Sequence, residues 1–222
     1  MKRPCELLRR SDTPHSRDTN GWWTRHLRRA VALAGVTVLI AWSAVARPGA
    51  DDKSWLDQPL TNWNQGRAVP AAAPAASEPR DQVRSRCGMP PGGTGAQRTL
   101  EELGWIAYEH LDRELTQGDI EIVAGMTGAD EMCRPAHFQI FVFVGGRFAG
   151  TLSPQAMTSG QDASAGAVRI VPDDSITSEF ARFREGDAPC CPTSRMTVRY
   201  RIDRSGQQAL VVPVDVRTTR GQ

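Results

Sequence analysis

The stretch His137–Ser153, HFQIFVFVGGRFAGTLS, decides the fold of the chain, because it predicts two strands joined by a glycine turn. In its first half, two sets of apolar side chains alternate along the backbone: Ile140, Val142 and Val144 on one face, Phe141 and Phe143 on the other. A strand that is apolar on both faces is typical of a position near the middle of a sheet. The rest of the folded region is therefore expected to assemble around this hairpin.

The turn of the hairpin is predicted at Gly145–Gly146, since a tight primed turn needs the positive φ angles that glycine adopts readily. Arg147–Leu152 is predicted to return as the partner strand. Within it, Gly150 indicates a bulge or a close approach of another part of the backbone.

Charge is distributed unevenly along the 222 residues. Residues 1–46 carry eight basic and three acidic side chains, while residues 47–222 carry a net charge of −3. A basic front end before a mildly acidic remainder is typical of a membrane-targeted chain. Membrane or cell-envelope components are thus the expected partners, and nucleic acid is not. The composition identifies no small-molecule ligand and no oligomeric state.

An export signal is predicted at residues 30–46, an apolar run without a charge that follows the basic segment 1–29. It ends in a small-x-small sequence, so cleavage is expected between Ala46 and Arg47. Because a helix of this length spans about 25 Å, somewhat less than a bilayer core, an uncleaved membrane anchor is the alternative. The protein is therefore expected to be exported, and to be periplasmic, extracellular or anchored in the cytoplasmic membrane.

Residues 47–97 are predicted to form a stalk. WLDQPLTNWN at residues 55–64 is expected to pack on the folded domain as an arm. AVPAAAPAASEP at residues 68–79 is expected to be an extended spacer, because its prolines prevent a continuous helix.

The globular domain is predicted at residues 98–216, followed by a tail at 217–222. A helix is predicted from Thr99 onward, with a strand beginning at Trp105 as the alternative. Alternating patterns predict further strands at 119–124, 167–171, 195–202 and 209–212. Together these elements predict a disulfide-stapled α+β domain, which consists of an antiparallel sheet of about five to seven strands with one helix on a face.

Two strands of this domain are predicted in more detail. Residues 175–184 fit either helical or strand spacing, and a strand with a bulge near Arg182 is the preferred interpretation. Pro213 predicts that the last strand ends at a sheet edge.

Four cysteines follow the predicted export signal, and an even number outside the cytoplasm indicates disulfides. A bond between the adjacent Cys190 and Cys191 needs a strained ring. These two are therefore expected to pair with Cys87 and Cys133, in either order.

The chemistry of the cysteines leaves two alternatives, a thiol redox pair at Cys190–Cys191 or a metal site that adds Cys133 and His137. Structural bridges are preferred, since C-x-x-C spacing is absent and His137 begins an apolar strand. No hydrolase or phosphate-loop motif occurs, so no catalytic residue, cofactor or resident metal is predicted.

One set of side chains suggests a binding site. Arg195, Arg199 and Arg201 share one face of a predicted strand, and Arg182 and Arg184 would extend a basic strip if their strand lies alongside. Such a strip is suited to an anionic ligand or envelope polymer. An ordinary solvated face is the alternative.

Three segments resemble the LppP/LprE-like group of bacterial envelope proteins: Cys133-Arg-Pro, FVFVGGRFAGTLSP at residues 141–154, and APCCP at residues 188–192. The resemblance implies a bacterial exported or membrane-associated protein with no established activity. Members of this group are often lipoproteins, but this chain departs from them because no cysteine ends its apolar run, so a lipid anchor is not expected. We therefore expect a non-catalytic binding or structural module of the cell envelope, with a small envelope hydrolase or a thiol redox or metal-binding protein as the alternative.

Overall fold

The computed structural model describes residues 54–108, 115–188 and 190–220. The predicted export signal and its cleavage site between Ala46 and Arg47 lie outside these residues. The described residues form two antiparallel sheets, nine strands in all, together with two helices. No helix in these three ranges has the length and apolar character that crossing a membrane requires.

The first sheet holds the central hairpin. Its strands run in the order β1-β3-β4-β5, and the short β2 also pairs with β3. Their bounds are β1 Ile106–Tyr108, β2 Thr116–Gln117, β3 Ile120–Ala129, β4 Pro135–Val144 and β5 Arg147–Thr151.

The second sheet follows the chain order β6-β7-β8-β9. Its strands are β6 Ser164–Val171, β7 Ser175–Arg182, β8 Ser194–Asp203 and β9 Leu210–Arg220. The prediction of a single sheet with one helix is therefore wrong. Strands β6 to β9 have one apolar face each, and together they form a separate layer that covers the first sheet.

Strand β4 lies inside the first sheet and is covered on both sides, as its sequence predicts. Ile140 and Val142 pack in the core between the two sheets, with Val198 and Tyr200 of β8. Phe141 and Phe143 pack in a second cluster on the opposite face. That cluster also contains Ala96, Leu100 and Trp105, so the helical segment forms the outer layer.

Glycine enables both special features of the hairpin. Gly145 and Gly146 have φ angles of 56° and 73°, which confirms the predicted turn. Gly150 has a φ of 146°, and a Cβ built there would lie 2.5 Å from Cγ of Asn64. The register between β4 and β5 also shifts at Val142/Phe143. Gly150 therefore marks both a bulge and a close approach.

The helices differ from the prediction. Helix α2 spans Gly95–Glu102, where Thr94 and Gln97 form a capping box, and it ends before Trp105. The alternative, a strand after Trp105, is correct, because Ile106–Tyr108 pairs with β3. Helix α1, Arg80–Cys87, was not predicted. Only Val83 in it is buried, so its sequence lacks a strong apolar stripe.

The segment predicted as a stalk packs on the sandwich from residue 54 onward. In the arm, Trp55 stacks edge-on against Phe180 with ring centroids 5.0 Å apart, and Trp63 donates a hydrogen bond to the Thr151 carbonyl at 3.1 Å. The spacer is also held, since the Ala71 carbonyl accepts a hydrogen bond from the Trp105 indole at 2.9 Å. The arm packs on the domain as predicted, and the spacer contains no helix over residues 68–78 but is held against the domain.

Three details of the second sheet correct the prediction. Strand β7 pairs with β8 without interruption as far as Arg182, so no bulge lies there. Strand β9 is an edge strand as expected, but it continues past Pro213, because a bulge at Val214 restores the pairing. It reaches Arg220, so residues 217–220 belong to the sheet and not to a tail.

Candidate functional site

The outer face of the second sheet is polar and rich in arginine. Along β8, Met196, Val198 and Tyr200 point into the core, and the residues between them point outward. Arg195, Arg199 and Arg201 are all exposed on that outward side. The structure therefore brings together the three arginines that the alternating sequence placed on one face.

Neighbouring strands add two arginines that the sequence analysis did not include. Thr177 of β7 pairs with Arg199 and also with Arg169 of β6, and Thr197 pairs with Arg217 of β9. We call this surface the arginine face: Arg169, Arg195, Arg199, Arg201 and Arg217. Only strand order reveals the additions, because Arg169 and Arg217 are far from β8 in sequence.

The ion pairs on the arginine face are exposed, and one of their carboxylates, Asp215, lies directly opposite Arg199 in the register between β8 and β9. Arg195 lies 3.9 Å from Glu179, Arg201 lies 3.8 Å from Asp203, and Arg217 lies 2.9 Å from Asp215.

Pairs of this kind contribute about 0–1 kcal/mol each, so they leave the arginines available to other anions. Arg169 and Arg199 form no ion pair with any residue that the structure describes. The face therefore keeps a net positive charge.

Arg182 and Arg184 are not part of the arginine face, and their inclusion in the predicted strip is corrected. Arg182 has the parity of the core residues of β7, and its guanidinium binds Asp57 of the arm and Asp162, each at 2.6 Å. These carboxylates raise the pKa of Arg182. Arg184 lies beyond the end of β7, where its backbone N–H donates to Asp187. Arg182 thus has a structural role in holding the arm.

A cavity of about 770 Å³ lies at the edge of the sandwich formed by β1 and β6. Its walls come from the loop after α1, from these two edge strands and from the beginning of β4. The lining residues are Gly88–Gly93, Gln97, Ala107, Tyr108, Cys133, Arg134, Pro135, Phe138, Ser159 and Ala165. No local sequence pattern predicts this site, because its walls come from segments far apart in the chain.

The lining of the cavity is mainly apolar and contains no carboxylate or imidazole among the described residues. Burial raises the pKa of Tyr108 well above its ordinary value, so its phenol stays neutral at physiological pH. Arg134 is the one charged side chain among the described lining residues.

The disulfide pairing differs from the prediction. Cys87 is bonded to Cys133 with a Cα–Cα distance of 5.6 Å, and Cys190 is bonded to Cys191. Cys87 is the last residue of α1, which contacts β3, while Cys133 lies in the loop after β3. The other two cysteines lie in the connection between β7 and β8.

The alternative metal site is not assembled. Cys133 is held by Cys87, and His137 is exposed with a φ of 46° at the beginning of β4. In the ranges that the structure covers, no three His, Cys, Asp or Glu side chains lie close enough to hold a metal ion.

The two disulfides are expected to differ in how readily they are reduced. Cys190 and Cys191 are exposed and adjacent in sequence, whereas Cys87 and Cys133 are half-buried. Exposed bonds between closely spaced cysteines exchange more readily with thiols. A graded titration with dithiothreitol, followed by alkylation and peptide mass spectrometry, should label Cys190 and Cys191 first. Simultaneous labelling of all four cysteines would contradict this expectation.

Comparison with known proteins gives one match. Residues 112–205 match the family model described as LppP/LprE lipoprotein, which confirms the resemblance seen in the hairpin and the cysteine corner. No curated protein and no solved structure matches the chain. The family indicates an exported, envelope-associated protein and does not distinguish catalysis from binding.

Proposed function

From the match of residues 112–205 to LppP/LprE lipoproteins, we propose that this chain is a non-catalytic binding module of the cell envelope. Its partner in this proposal is an anionic envelope polymer, bound on the arginine face. The observation that carries the proposal is the set of five exposed arginines on one side of a four-stranded sheet. No other segment that the structure describes covers this side.

The spacing of the arginines favours a repeating anion. Arg199 and Arg201 are two residues apart on one strand, which separates their Cα atoms by about 7 Å. Arg169 and Arg199 are two strands apart at the same register, a separation of about 10 Å. Cations in rows of this spacing can bind successive charges of one chain, and guanidinium groups bind carboxylates and phosphates in bidentate fashion.

The prevalence of arginine over lysine on this face does not by itself indicate binding. The whole chain has two lysines, Lys2 and Lys53, so arginine is its usual basic residue. What supports the proposal is the placement of the charges, because the inner positions of the same strands are apolar and buried.

The double variant Arg199→Gln/Arg201→Gln is expected to bind a polyanion about five- to thirtyfold more weakly, which corresponds to about 1–2 kcal/mol. Full-length protein would be titrated with polygalacturonate and with inorganic polyphosphate, which separate carboxylate from phosphate recognition. Binding should also weaken as salt concentration rises, since the face is solvated.

Arg67→Gln/Arg147→Gln is the matched control, because it removes the same charge from exposed sites off the arginine face. It should change the affinity by less than about twofold. Equal losses in both variants would mean that only net charge matters, and no binding of either polymer by the unchanged protein would overturn the proposal.

Thiol–disulfide exchange is the second candidate function, and one observation favours it. Cys190 and Cys191 are bonded to each other and exposed. In this alternative a reduced dithiol on a partner attacks one sulfur, and a second attack releases the partner as a disulfide with Cys190 and Cys191 as thiols. Loss of catalysed oxidation of a model dithiol in Cys190→Ser/Cys191→Ser would support it, and an unchanged rate would exclude it.

A further inference from the structure

We propose that the cavity between β1 and β6 is a binding site for a small amphipathic acid, with an apolar body and one carboxylate or phosphate head. This site is separate from the arginine face, so either proposal can fail without the other. Its volume of about 770 Å³ lies within the range of about 300–1,000 Å³ that is usual for ligand pockets.

The wall made by the loop after α1 is fixed in place before any ligand binds. The N–H groups of Gly92 and Gly93 donate to the side chains of Glu101 and Gln97 at 2.7 and 2.6 Å. Glu101 also forms an ion pair with Arg84 of α1. The disulfide at Cys87 joins the beginning of this loop to the loop before β4. A pre-formed wall spares the ligand the cost of ordering it.

The interior of the cavity is suited to an apolar body. Phe138 is 1% exposed at the inner end, and Met89 packs against the core between the sheets. The other apolar lining residues are Pro90, Pro91, Ala107, Pro135 and Ala165. Contact of a hydrocarbon chain with these side chains would remove apolar surface from water on both partners.

The charge of the lining selects the head group. Arg134 lines the cavity, and its side chain is 52% exposed, so its guanidinium is accessible to a ligand head group. Its Nε binds Asp130 at 2.6 Å, while its two Nη groups have no hydrogen-bond partner among the described residues. Backbone N–H groups and Arg134 lower the pKa of Asp130, so that carboxylate stays ionised and keeps the guanidinium oriented. The two Nη groups form the fork that an oxyanion binds.

The other polar groups of the lining are neutral, so they do not repel an acidic head group bound at Arg134. Ser159 and Gln97 contribute a hydroxyl and an amide to the wall, and no lining residue that the structure describes carries a negative charge. A cationic amphiphile would meet Arg134 with like charge. The site therefore favours an acid over an amine of the same length.

The test uses the full-length chain and a photoactivatable diazirine derivative of palmitate, with crosslinks located by peptide mass spectrometry. Crosslinks are expected in peptides that contain Met89 and Phe138, and unlabelled palmitate should compete with them. The diazirine derivative of the corresponding alcohol serves as the uncharged probe. Locating the crosslinks separates this site from the apolar run at residues 30–46.

Two variants assign the parts of the site. Arg134→Gln should reduce crosslinking by the acid about tenfold and leave crosslinking by the alcohol unchanged, because only the acid head group uses the charged guanidinium. Ser159→Phe fills the cavity from a loop and should abolish labelling by both probes. Arg147→Gln is the control, since Arg147 is exposed and does not line the cavity.

Thermal unfolding of each variant would show that the fold is retained. The proposal is overturned if the acid crosslinks only outside the cavity, if Ser159→Phe is labelled as strongly as the unchanged chain, or if Arg134→Gln affects the acid and the alcohol equally.

Discussion

Replacing Asn64 with alanine is expected to lower the free energy of unfolding by about 3–5 kcal/mol, since each buried polar group left without a partner costs about 1–3 kcal/mol. Asn64 is fully buried in the arm. Its amide donates to the carbonyls of Thr151 and Val211 at 3.0 and 2.9 Å, and its carbonyl accepts from the Thr151 N–H at 2.8 Å. One side chain thus joins the arm, β5 of the first sheet and β9 of the second.

Denaturant titration would measure this effect, with Gln65→Ala as the control. Gln65 is exposed next to Asn64, so its loss should cost less than about 0.5 kcal/mol. A loss in Asn64→Ala of the same size as in Gln65→Ala would show that the arm does not hold the two sheets together.

A double-mutant cycle with Gly150 sharpens the test. Gly150→Ala should be strongly destabilising alone, because its Cβ would collide with the Asn64 amide and its φ is strained. With alanine at position 64 the collision disappears, so Gly150→Ala should cost less by about 1–3 kcal/mol. If the stability losses of the two single variants were additive, the cost of alanine at position 150 would come from backbone strain and not from the contact with Asn64.

Removing the Cys87–Cys133 bond is the second change with a large expected effect. The double variant Cys87→Ser/Cys133→Ser should lower the free energy of unfolding by about 2–4 kcal/mol. The bond closes a loop with a sequence separation of 46, so it restricts the unfolded chain substantially. The denaturant titration described for Asn64→Ala would also measure this loss.

Cys190→Ser/Cys191→Ser is the matched control, since it also removes two sulfurs and one bond. The sequence separation of that pair is 1, so its bond restricts the unfolded chain very little. A stability loss below about 1 kcal/mol is expected for it. If both double variants lost the same stability, Cys190 and Cys191 would be bonded to Cys87 and Cys133, as predicted from the sequence.

Local sequence determined the central hairpin, because the alternation and the glycine turn that define it involve only neighbouring residues. The alternation from Phe138 to Val144 places apolar groups on both faces of β4, and Gly145–Gly146 supplies the turn. Strand β8 was predicted for the same reason, since polar and apolar residues alternate along it. These features depend on periods of two residues and on the φ preferences of glycine.

Helix α1 and the packing of the spacer on the domain were not predicted, because both depend on distant contacts. Helix α1 buries only Val83, and Arg86 at its end donates to the carbonyls of Ala129 and Asp130 after β3. The spacer is held by the indole of Trp105. The intrinsic conformational preferences of these two segments are weak, and packing on the sandwich supplies the free energy that orders them.

The arginine face, too, was determined partly by local sequence and partly by tertiary structure. Sequence alone determined that Arg195, Arg199 and Arg201 share a face, since residues two apart on a strand point to the same side. Tertiary structure alone decided that Arg169 and Arg217 join them, that Arg182 does not, and which cysteines pair.

The cavity is also a product of tertiary structure, because its walls come from both sheets and from a loop held by a disulfide. Periodicity specifies the direction of a side chain along its own strand. The order of strands, the layering of sheets and the approach of distant cysteines depend instead on the burial of surfaces that lie far apart in sequence.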